Sequence, residues 1–241
     1  MMPGPVVILG ATGGIGGALA RRVAARGATP FLIGRDAGRL AALAAELGAP
    51  SAPCDVTDAA ALRDAVGAAG SPLSGLAFCI GSIVMKPLAR AMPADFAEAF
   101  ALNATAAALA VQAAAPALAA GGGSVVLFSS VAARAGFPGH AVIGAAKAAV
   151  EGLSIALAAE LAPSVRVNCI APSLTRTGIA APMTKNPQMA EAIARLHPIP
   201  RLGEPEDAAA LADFLLSDQS GWITGQVIGV DGGRSSLRGR G

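Results

Sequence analysis

The chain has 241 residues, of which 54% are hydrophobic and 14% are charged, and its formal net charge is +2 at pH 7. This length fits one α/β domain with a substantial core, and this composition excludes an intrinsically disordered chain. The small net charge and the lack of a basic run argue against a nucleic-acid-binding protein, which needs a basic face.

Short apolar runs alternate with helix-like stretches along the chain. The runs predict buried strands, and the stretches between them predict helices. A repeated strand–helix–strand order specifies a parallel sheet with helices on both faces, so we expect an α/β fold in a single domain. The predicted strands are VVILG (6–10), PFLIG (30–34), SAPC (51–54), LAFCIG (76–81), SVVLFSS (124–130), VRVNCI (165–170) and QVIGV (226–230), and the predicted helices cover 15–26, 37–47, 58–69, 94–119, 142–161, 187–196 and 206–217.

The first predicted strand leads into a glycine-rich turn and a helix, in the sequence VVILGATGGIGGALARRVAARG. Its glycines Gly10, Gly14 and Gly16 have the spacing G-x3-G-x-G. Glycine permits a tight turn and lets the backbone approach a pyrophosphate, which then lies at the positive end of the helix dipole. A simple tight turn is the alternative, but the position of the motif in a repeating βα chain favours dinucleotide binding.

The second predicted strand ends in LIGRD, which bears on the choice of cofactor. A carboxylate at the tip of this strand would accept hydrogen bonds from the adenosine ribose, but Gly34 occupies that position. Arg35 follows, and an arginine there can pair with a 2′-phosphate, which favours NADP(H) and leaves NAD(H) possible. The alternatives are a solvated loop arginine or one neutralised by Asp36.

The cysteines and histidines predict neither a disulfide framework nor a metal site. Cys54, Cys79 and Cys169 are scattered and lack CxxC spacing, which is typical of reduced thiols in a cytoplasmic protein. We expect Cys79 to pack in the core rather than to react. His140 and His197 are the two histidines of the chain, too few for a multi-histidine metal site.

The longest uncharged stretch, 99–133, raises the question of a membrane span. It is rich in alanine and contains Pro116 and a glycine triplet, whereas a span needs about 20 strongly apolar residues. We therefore expect a buried helix, a glycine break and a strand, and no membrane segment. The N-terminus has no basic region before the first strand, so we predict no signal peptide.

The motifs resemble those of the short-chain dehydrogenase/reductase family over nearly the whole chain, from GATGGIG to the closely matching segment RLGEPEDAAALADFLLSDQSGWITGQVIGVDGG. Leu9 and Ser173 depart from the usual threonine and glycine. The resemblance implies a Rossmann-type doubly wound parallel sheet of about seven strands with helices on both faces. It also implies a set of cofactor-binding residues. They are Gly10, Thr12, Gly14, Ile15 and Gly16 of the turn; Arg35 after the second strand; Asp55 and Val56 of CDVTD; Gly81 of FCIG; Lys147; and Pro172 and Thr177 of IAPSLTRT.

The catalytic residues that the resemblance implies are incomplete. In the family, a tyrosine four residues before a lysine is the general acid/base, and the lysine lowers its pKa and holds the ribose. A serine binds the substrate oxygen, and an asparagine positions a water that feeds protons through the lysine. Asn103, Ser130 and Lys147 match these positions. Ile143 stands at the tyrosine position, and the chain contains no tyrosine.

Three hypotheses account for the missing tyrosine. In HAVIGAAK, His140 lies seven residues before Lys147, where enoyl-thioester reductases of the same superfamily have their tyrosine in Tyr-x-x-Met-Gly-x-Ala-Lys. A histidine titrates near neutrality and is a substitute acid, although a loop histidine at a pocket edge is the alternative. In the second hypothesis, Ser130, Lys147 and water manage the protons of carbonyl or alcohol chemistry. In the third, the chain is a catalytically impaired NADP-binding protein with a redox-sensing or structural role. Reduction of a carbonyl and reduction of an activated C=C both stay open.

The resemblance also bears on the remaining segments and on assembly. Residues 173–200 fall where the family has a mobile lid, and their Met, Ile and Leu side chains suggest a small, partly apolar substrate. His197 is expected to be structural or near this lid. The end of the chain, 234–241, is typical of a flexible basic tail. Family members are usually homo-oligomers, so we expect a homodimer or homotetramer that binds a small-molecule substrate, without a nucleic-acid or membrane partner.

Overall fold

Seven strands form one parallel sheet in the computed structural model, which describes residues 4–237. In chain order they are β1 (Val6–Leu9), β2 (Pro30–Gly34), β3 (Ser51–Pro53), β4 (Gly75–Phe78), β5 (Ser124–Phe128), β6 (Arg166–Pro172) and β7 (Val227–Val230). The order across the sheet is β3-β2-β1-β4-β5-β6-β7, which confirms the predicted doubly wound fold. Because the strand order reverses between β1 and β4, the crevice outside their carboxyl ends is the place where such sheets bind ligands.

Helices cover both faces of this sheet. In chain order they are α1 (Gly14–Ala25), α2 (Ala37–Leu47), α3 (Ala59–Gly67), α4 (Pro93–Phe100), α5 (Ala106–Gly121), α6 (Ala141–Leu161), α7 (Ala181–Thr184), α8 (Pro187–Ala194) and α9 (Pro205–Leu215). One core lies between the sheet and α3, α5 and α6, and the other lies between the sheet and α1, α2 and α9. Alternate residues of β1 enter the two cores, which is why this strand is a continuous apolar run in the sequence.

The predicted helix over 94–119 is present as one helical stretch, Pro93–Gly121, but its hydrogen bonding is not α-helical throughout. A single π-helical turn, Ala101–Thr105, separates α4 from α5. In an α-helix the Ala99 carbonyl would accept from the backbone N–H of Asn103, but it accepts from Asn103 Nδ2 at 2.8 Å. This side-chain bond displaces the backbone bond, and the resulting bulge fixes Asn103 at a defined place in the sheet crevice.

Two helical stretches, Pro93–Gly121 and Ala141–Leu161, are long and apolar enough by length and composition to cross a membrane. Both pack on the sheet, and Val111 and Leu118 of α5 and Val150 of α6 lie in the first core. Core helices of soluble folds pass the same test, so the two stretches are weak evidence for a span.

The strands end earlier than predicted at the carboxyl edge of the sheet. The predicted strand over 76–81 ends at Phe78, and the one over 124–130 ends at Phe128. Pairing between β4 and β5 stops at Phe78 and Leu127. The residues that follow therefore leave the sheet as loops, and this frees Gly81 and Ser130 to line the crevice.

Candidate active site

The turn between β1 and α1 forms a cradle of backbone groups. A Cβ atom at Gly16 would lie 2.2 Å from the Gly10 carbonyl oxygen, and Gly10 has a φ of +80°, so both positions require glycine. The N-cap of α1 is Gly13, which provides no side-chain cap, and the first turn holds no acidic residue. The first amide groups of α1 are therefore available to an anion, and the turn fits the pyrophosphate of a dinucleotide.

Two arginines lie beside this turn, where β2 ends. Arg39 Nη2 donates to the Thr12 carbonyl at 2.5 Å, and Arg35 is exposed. Asp36 accepts from the backbone N–H of Arg39 at 3.0 Å and thereby caps α2. A Cβ atom at Gly34 would lie 3.3 Å from Thr12 Oγ1, so the tip of β2 is closely packed. The sequence analysis named Arg35 and missed Arg39, whose only signal was its position in the first turn of α2.

Asp55 follows β3 at the same edge of the sheet. Its carboxylate accepts from the backbone N–H of Thr57 at 3.0 Å and from the Thr57 hydroxyl at 2.7 Å. These bonds, together with the charge of Arg35, lower the pKa of the Asp55 carboxyl. Its neighbour Val56 is buried. The edge thus presents an ionised acceptor next to an apolar side chain.

Lys147, Asn103 and Gly81 meet at the centre of the crevice. Lys147 Nζ donates to the Phe128 carbonyl oxygen at the end of β5, at 2.9 Å. A Cβ atom at Gly81 would lie 2.8 Å from Lys147 Nζ and 3.0 Å from Asn103 Oδ1, so a side chain at this position would have to displace the Lys147 ammonium. The Asn103 amide is fixed from its other side, because its Oδ1 accepts from the backbone N–H of Ser82 at 3.3 Å.

Lys147 is buried without a compensating carboxylate. The residue is 7% exposed, and its ammonium forms no ion pair with an acidic residue among residues 4–237. Burial lowers the pKa of the Lys147 ammonium from 10.5 to about 8. A group with this pKa exchanges protons close to neutral pH, which suits a proton relay.

The two serines after β5 have different partners. Ser130 Oγ accepts from a backbone N–H two residues on, at 3.2 Å, which leaves its hydroxyl hydrogen free to bind a substrate oxygen. Ser129 Oγ lies 3.0 Å from the Lys147 carbonyl oxygen and 3.0 Å from Glu151 Oε1. Ser129 and Glu151 therefore hold α6 against β5. The sequence analysis missed both, because their role depends on a contact between distant segments.

His140 lies at the start of α6, as its N-cap residue. His140 Nδ1 lies 2.9 Å from the Pro138 carbonyl oxygen, and because a carbonyl only accepts, Nδ1 carries the hydrogen. Nε2 has no hydrogen-bond partner among the described residues. Ile143, one turn further, is 4% exposed and offers no titratable group. Lys147 lies about 10 Å further along the helix axis than His140.

The end of β6 meets the predicted lid. After Pro172, the buried Ser173 hydroxyl lies 2.8 Å from His197 Nε2, and His197 Nδ1 lies 2.9 Å from a carbonyl oxygen of α8. His197 is thus a buried contact within 173–200, between the end of α8 and the residue that directly follows β6. Thr177 packs on the glycine turn, since a Cβ atom at Gly14 would lie 2.8 Å from Thr177 Cγ2. The lid segment contains α7, which was not predicted because four residues are too few to show a helical period.

Cys79 directly follows β4 at this edge of the sheet. Cys79 packs against the second core, and burial raises the pKa of its thiol, so it stays protonated. No group of three or more histidine, cysteine, aspartate or glutamate side chains with metal-site spacing occurs in residues 4–237.

The fold and this edge define a class of protein, the dinucleotide-binding oxidoreductases with a doubly wound sheet. A family model described as Enoyl-(Acyl carrier protein) reductase matches residues 10–235. Together with the relatives below, this match shows that the chain belongs to the short-chain dehydrogenase/reductase family and is an oxidoreductase of that family.

Similar proteins cover most of the chain. Dehydrogenase/reductase SDR family member 4 of Bos taurus is 34% identical over 95% of this chain and 86% of its own length, whereas the Homo sapiens protein of that name is 43% identical over 48% of this chain and only 42% of its own length. A short-chain type dehydrogenase/reductase from Mycobacterium ulcerans has a TM-score of 0.92 at 34% identity and covers 99% of this chain and 92% of its own. A gluconate 5-dehydrogenase from Burkholderia cenocepacia J2315, solved with NADP and tartrate, has a TM-score of 0.92 at 27% identity and covers 99% of this chain and 97% of its own.

Replacement of Lys147 by methionine should stabilise the cofactor-free protein. The unfolded chain keeps the lysine proton up to about pH 10.5, whereas the folded chain releases it at about pH 8. The unfolded state therefore binds more protons between these values, and the buried charge costs the native state about 3 kcal/mol at pH 7. We expect Lys147→Met to raise the free energy of unfolding by about 2 to 3 kcal/mol at pH 7.

Urea denaturation at several pH values measures this difference. The advantage of the variant should shrink as the pH rises from 8 towards 10.5, because the native lysine is then neutral. A variant that is less stable than the wild type at pH 7 would show that the hydrogen bond to Phe128 outweighs the cost of burial.

Proposed function

We propose that the chain is an NADP(H)-dependent oxidoreductase that transfers hydride to or from a carbonyl, an alcohol or an activated C=C of a small-molecule substrate. The observation that carries this proposal is the cluster of Lys147, Asn103 and Gly81 at the switch point of the sheet. A buried ammonium lowers the stability of the native state, and its presence in the crevice therefore supports a functional role. When bound, the cofactor supplies or takes the hydride.

The residues that would hold the cofactor follow the carboxyl edge of the sheet from β3 to β6. The amides of the β1–α1 turn would bind the pyrophosphate, and Asp55 with Val56 would contact the adenine. Lys147 and Gly81 would meet the nicotinamide ribose, and Thr177 the carboxamide. The full set is Gly10, Thr12, Gly14, Ile15, Gly16, Arg35, Asp55, Val56, Gly81, Lys147, Pro172 and Thr177, to which the contact with Thr12 adds Arg39.

Arg35 and Arg39 support NADP(H) over NAD(H). Both follow the tip of β2, where Gly34 provides no carboxylate for a ribose hydroxyl. Neither guanidinium forms an ion pair with an acidic residue in the described part of the chain. The relative from Burkholderia cenocepacia J2315 was solved with NADP. A 2′-phosphate would give both arginines the anion that they lack.

Removal of these arginines should weaken NADPH binding selectively. We expect Arg35→Ser and Arg39→Ser each to raise the Kd of NADPH about 10- to 100-fold, since each loses a charge-assisted bond, and to leave the Kd of NADH unchanged. Titration of the cofactor fluorescence measures both constants. Arg63→Ser is the matched control, because Arg63 is an exposed arginine of α3. Equal losses for NADPH and NADH would argue against a 2′-phosphate site.

His140 is the proposed proton donor in place of the missing tyrosine. Its Nδ1–H is held by the Pro138 carbonyl, which leaves Nε2 to take up a proton and donate it. In the reduction of a carbonyl, His140 Nε2–H would protonate the oxygen, and Ser130 would bind that oxygen through its free hydroxyl hydrogen. Lys147 and the Asn103 amide would then supply the replacement proton from solvent.

The substitutions His140→Ala and His140→Gln test this role against a panel of ketones and enoyl thioesters. If His140 is the acid, both variants should lose about 10²- to 10⁴-fold in kcat with an unchanged NADPH Kd, since glutamine keeps an N–H donor but releases no proton. A normal rate and pH profile in both variants would assign the protons to Ser130, Lys147 and water. Tight NADPH binding by the wild type without turnover on either class would instead support the catalytically impaired, NADP-binding alternative.

The proposal extends to assembly and to the remaining segments. The whole chain, 1–241, would act as one domain, with 173–200 as its substrate lid, in a cytoplasmic protein whose three cysteines are unpaired thiols. Of the predicted flexible tail, Arg234 and Ser235 form hydrogen bonds that are described below, and 238–241 lie outside the described residues.

A homodimer or homotetramer is the expected assembly. Ile155 in the middle of the apolar helix α6 is 52% exposed, which supports burial of this helix in a subunit interface. Light scattering should give a mass of two or four chains, and replacement of Ile155 by glutamate should shift it towards one. A monomeric mass for the wild type would contradict this expectation.

A further inference from the structure

Arg234 lies beyond β7 and folds back towards the substrate side of the crevice. Its guanidinium carbon is 4.8 Å from the centroid of the Phe137 ring, in a cation–π contact. Phe137 lies in the loop that begins at Ser130 and ends at His140, and its ring meets the His140 ring edge-on at 5.4 Å. A residue assigned by sequence to a flexible tail therefore lies against the loop that carries both proposed reaction-side groups.

Most N–H groups of the Arg234 guanidinium have no acceptor among the described residues. It has five N–H groups, and its one hydrogen bond in the described residues goes to Ser173 Oγ at 3.5 Å. Arginines near the lid are paired with acids, as in Arg195 with Glu191 and Arg201 with Asp207, but Arg234 has no such ion pair in the same part of the chain. Burial lowers the pKa of the Arg234 guanidinium, which is the direction expected of a cation that lacks a counter-ion.

The nearest acidic residue does not satisfy Arg234. Asp231 accepts from the backbone N–H of Gly233 and from that of Ser235, both at 2.9 Å, and from the Ser235 hydroxyl. These three bonds occupy its carboxylate within the turn. The negative charge of Asp231 acts to raise the pKa of the Arg234 guanidinium, but the two side chains form no ion pair.

A buried pair behind Arg234 holds the guanidinium in place. His197 Nδ1–H donates to a carbonyl oxygen of α8, so His197 Nε2 accepts from the Ser173 hydroxyl at 2.8 Å. The Ser173 oxygen is then oriented to accept from Arg234. The guanidinium thus contacts the Phe137 ring and the Ser173 hydroxyl, and its other N–H groups have no acceptor among residues 4–237. Preorganised donors of this kind are typical of an anion site.

We propose that Arg234 binds a carboxylate of the substrate, so that the substrate is an oxo acid or hydroxy acid, or an enoate that carries a carboxylate. A carboxylate fits better than a phosphate, because its two oxygens match one guanidinium fork and its single charge balances one arginine. This inference rests on the proposed oxidoreductase function for the substrate that it names, although binding at Arg234 does not require turnover.

Binding without turnover is the first test. The probes are succinate and levulinate, which are compared with the neutral esters dimethyl succinate and methyl levulinate. The variants are Arg234→Gln and Arg234→Lys. Calorimetric titration of the NADPH-loaded wild type with succinate, and of the cofactor-free protein with levulinate, should show the acids binding more tightly than the esters. Arg234→Gln should weaken the acids about 10- to 100-fold and leave the esters unchanged. Arg234→Lys should retain part of the preference, because it keeps the charge and loses the fork.

Arg195→Gln is the matched control, since it removes an exposed, ion-paired arginine of the lid region. It should behave as the wild type in every titration. Melting curves of all variants confirm that the native fold is kept. Equal binding of acids and esters by the wild type, or equal losses in Arg234→Gln and Arg195→Gln, would overturn the proposal.

Steady-state rates separate this proposal from the function on which it rests. With short- and medium-chain oxo acids and their methyl esters as substrates, Arg234→Gln should raise KM for the acids about 10- to 100-fold and change the esters little. Carboxylate binding that depends on Arg234, without any turnover, would keep the anion site and refute the oxidoreductase function. Turnover that Arg234→Gln leaves unchanged for acids and esters alike would keep the oxidoreductase function and refute the anion site.

Discussion

The buried ammonium of Lys147 is the interaction on which the arrangement of the crevice depends. It donates to the last carbonyl of β5, and it lies against the backbone of Gly81 beyond β4 and near the amide of Asn103 between α4 and α5. Four segments of the chain thus converge on one nitrogen. Because an unpaired charge is costly in a core, each of these contacts must be kept in register, and Ser129 and Glu151 keep α6 at the required depth.

The loss of the family's tyrosine changes what this lysine meets. Ile143 brings an apolar side chain to the position where the family has a phenol, and the ammonium donates to a neutral acceptor, the Phe128 carbonyl, without an acidic partner among residues 4–237. Burial then dominates its pKa, which falls to about 8. The site has exchanged a positioned acid for a lysine that itself releases a proton close to neutrality. Of the two histidines of the chain, His197 has both ring nitrogens engaged, whereas His140 Nε2 has no hydrogen-bond partner among residues 4–237, and His140 is therefore the donor in the proposed function.

Sequence patterns were sufficient for the elements of the fold and insufficient for its breaks. All seven strands followed from short apolar runs. In β1, β2, β4, β5 and β6 the reason is that a parallel strand is buried on both faces, whereas the edge strands β3 and β7 are only partly buried. The π-turn at Asn103 could not be predicted, since it depends on a side-chain bond to Ala99 that looks like any helical position. A related reason explains why the sequence did not predict the roles of Arg39, Ser129 and the pair of Ser173 with His197. Their partners are distant in sequence, and hydrophobic periodicity gives no information about such contacts.

Arginines that form no ion pair with an acidic residue in the described part of the chain lie at both ends of the crevice. Arg35 and Arg39 lie at the adenosine end and Arg234 at the substrate end, and none of them forms an ion pair within residues 4–237, whereas several arginines elsewhere on the surface do. Folding alone gives no reason for this difference, because an acid placed beside each would stabilise the native state at least slightly. The pattern is explained if anionic groups of bound molecules complete these positions. Lys147, a buried cation without an acidic partner among residues 4–237, fits the same principle: the native state tolerates such cations along one edge of the sheet, and bound anionic groups would remove that cost.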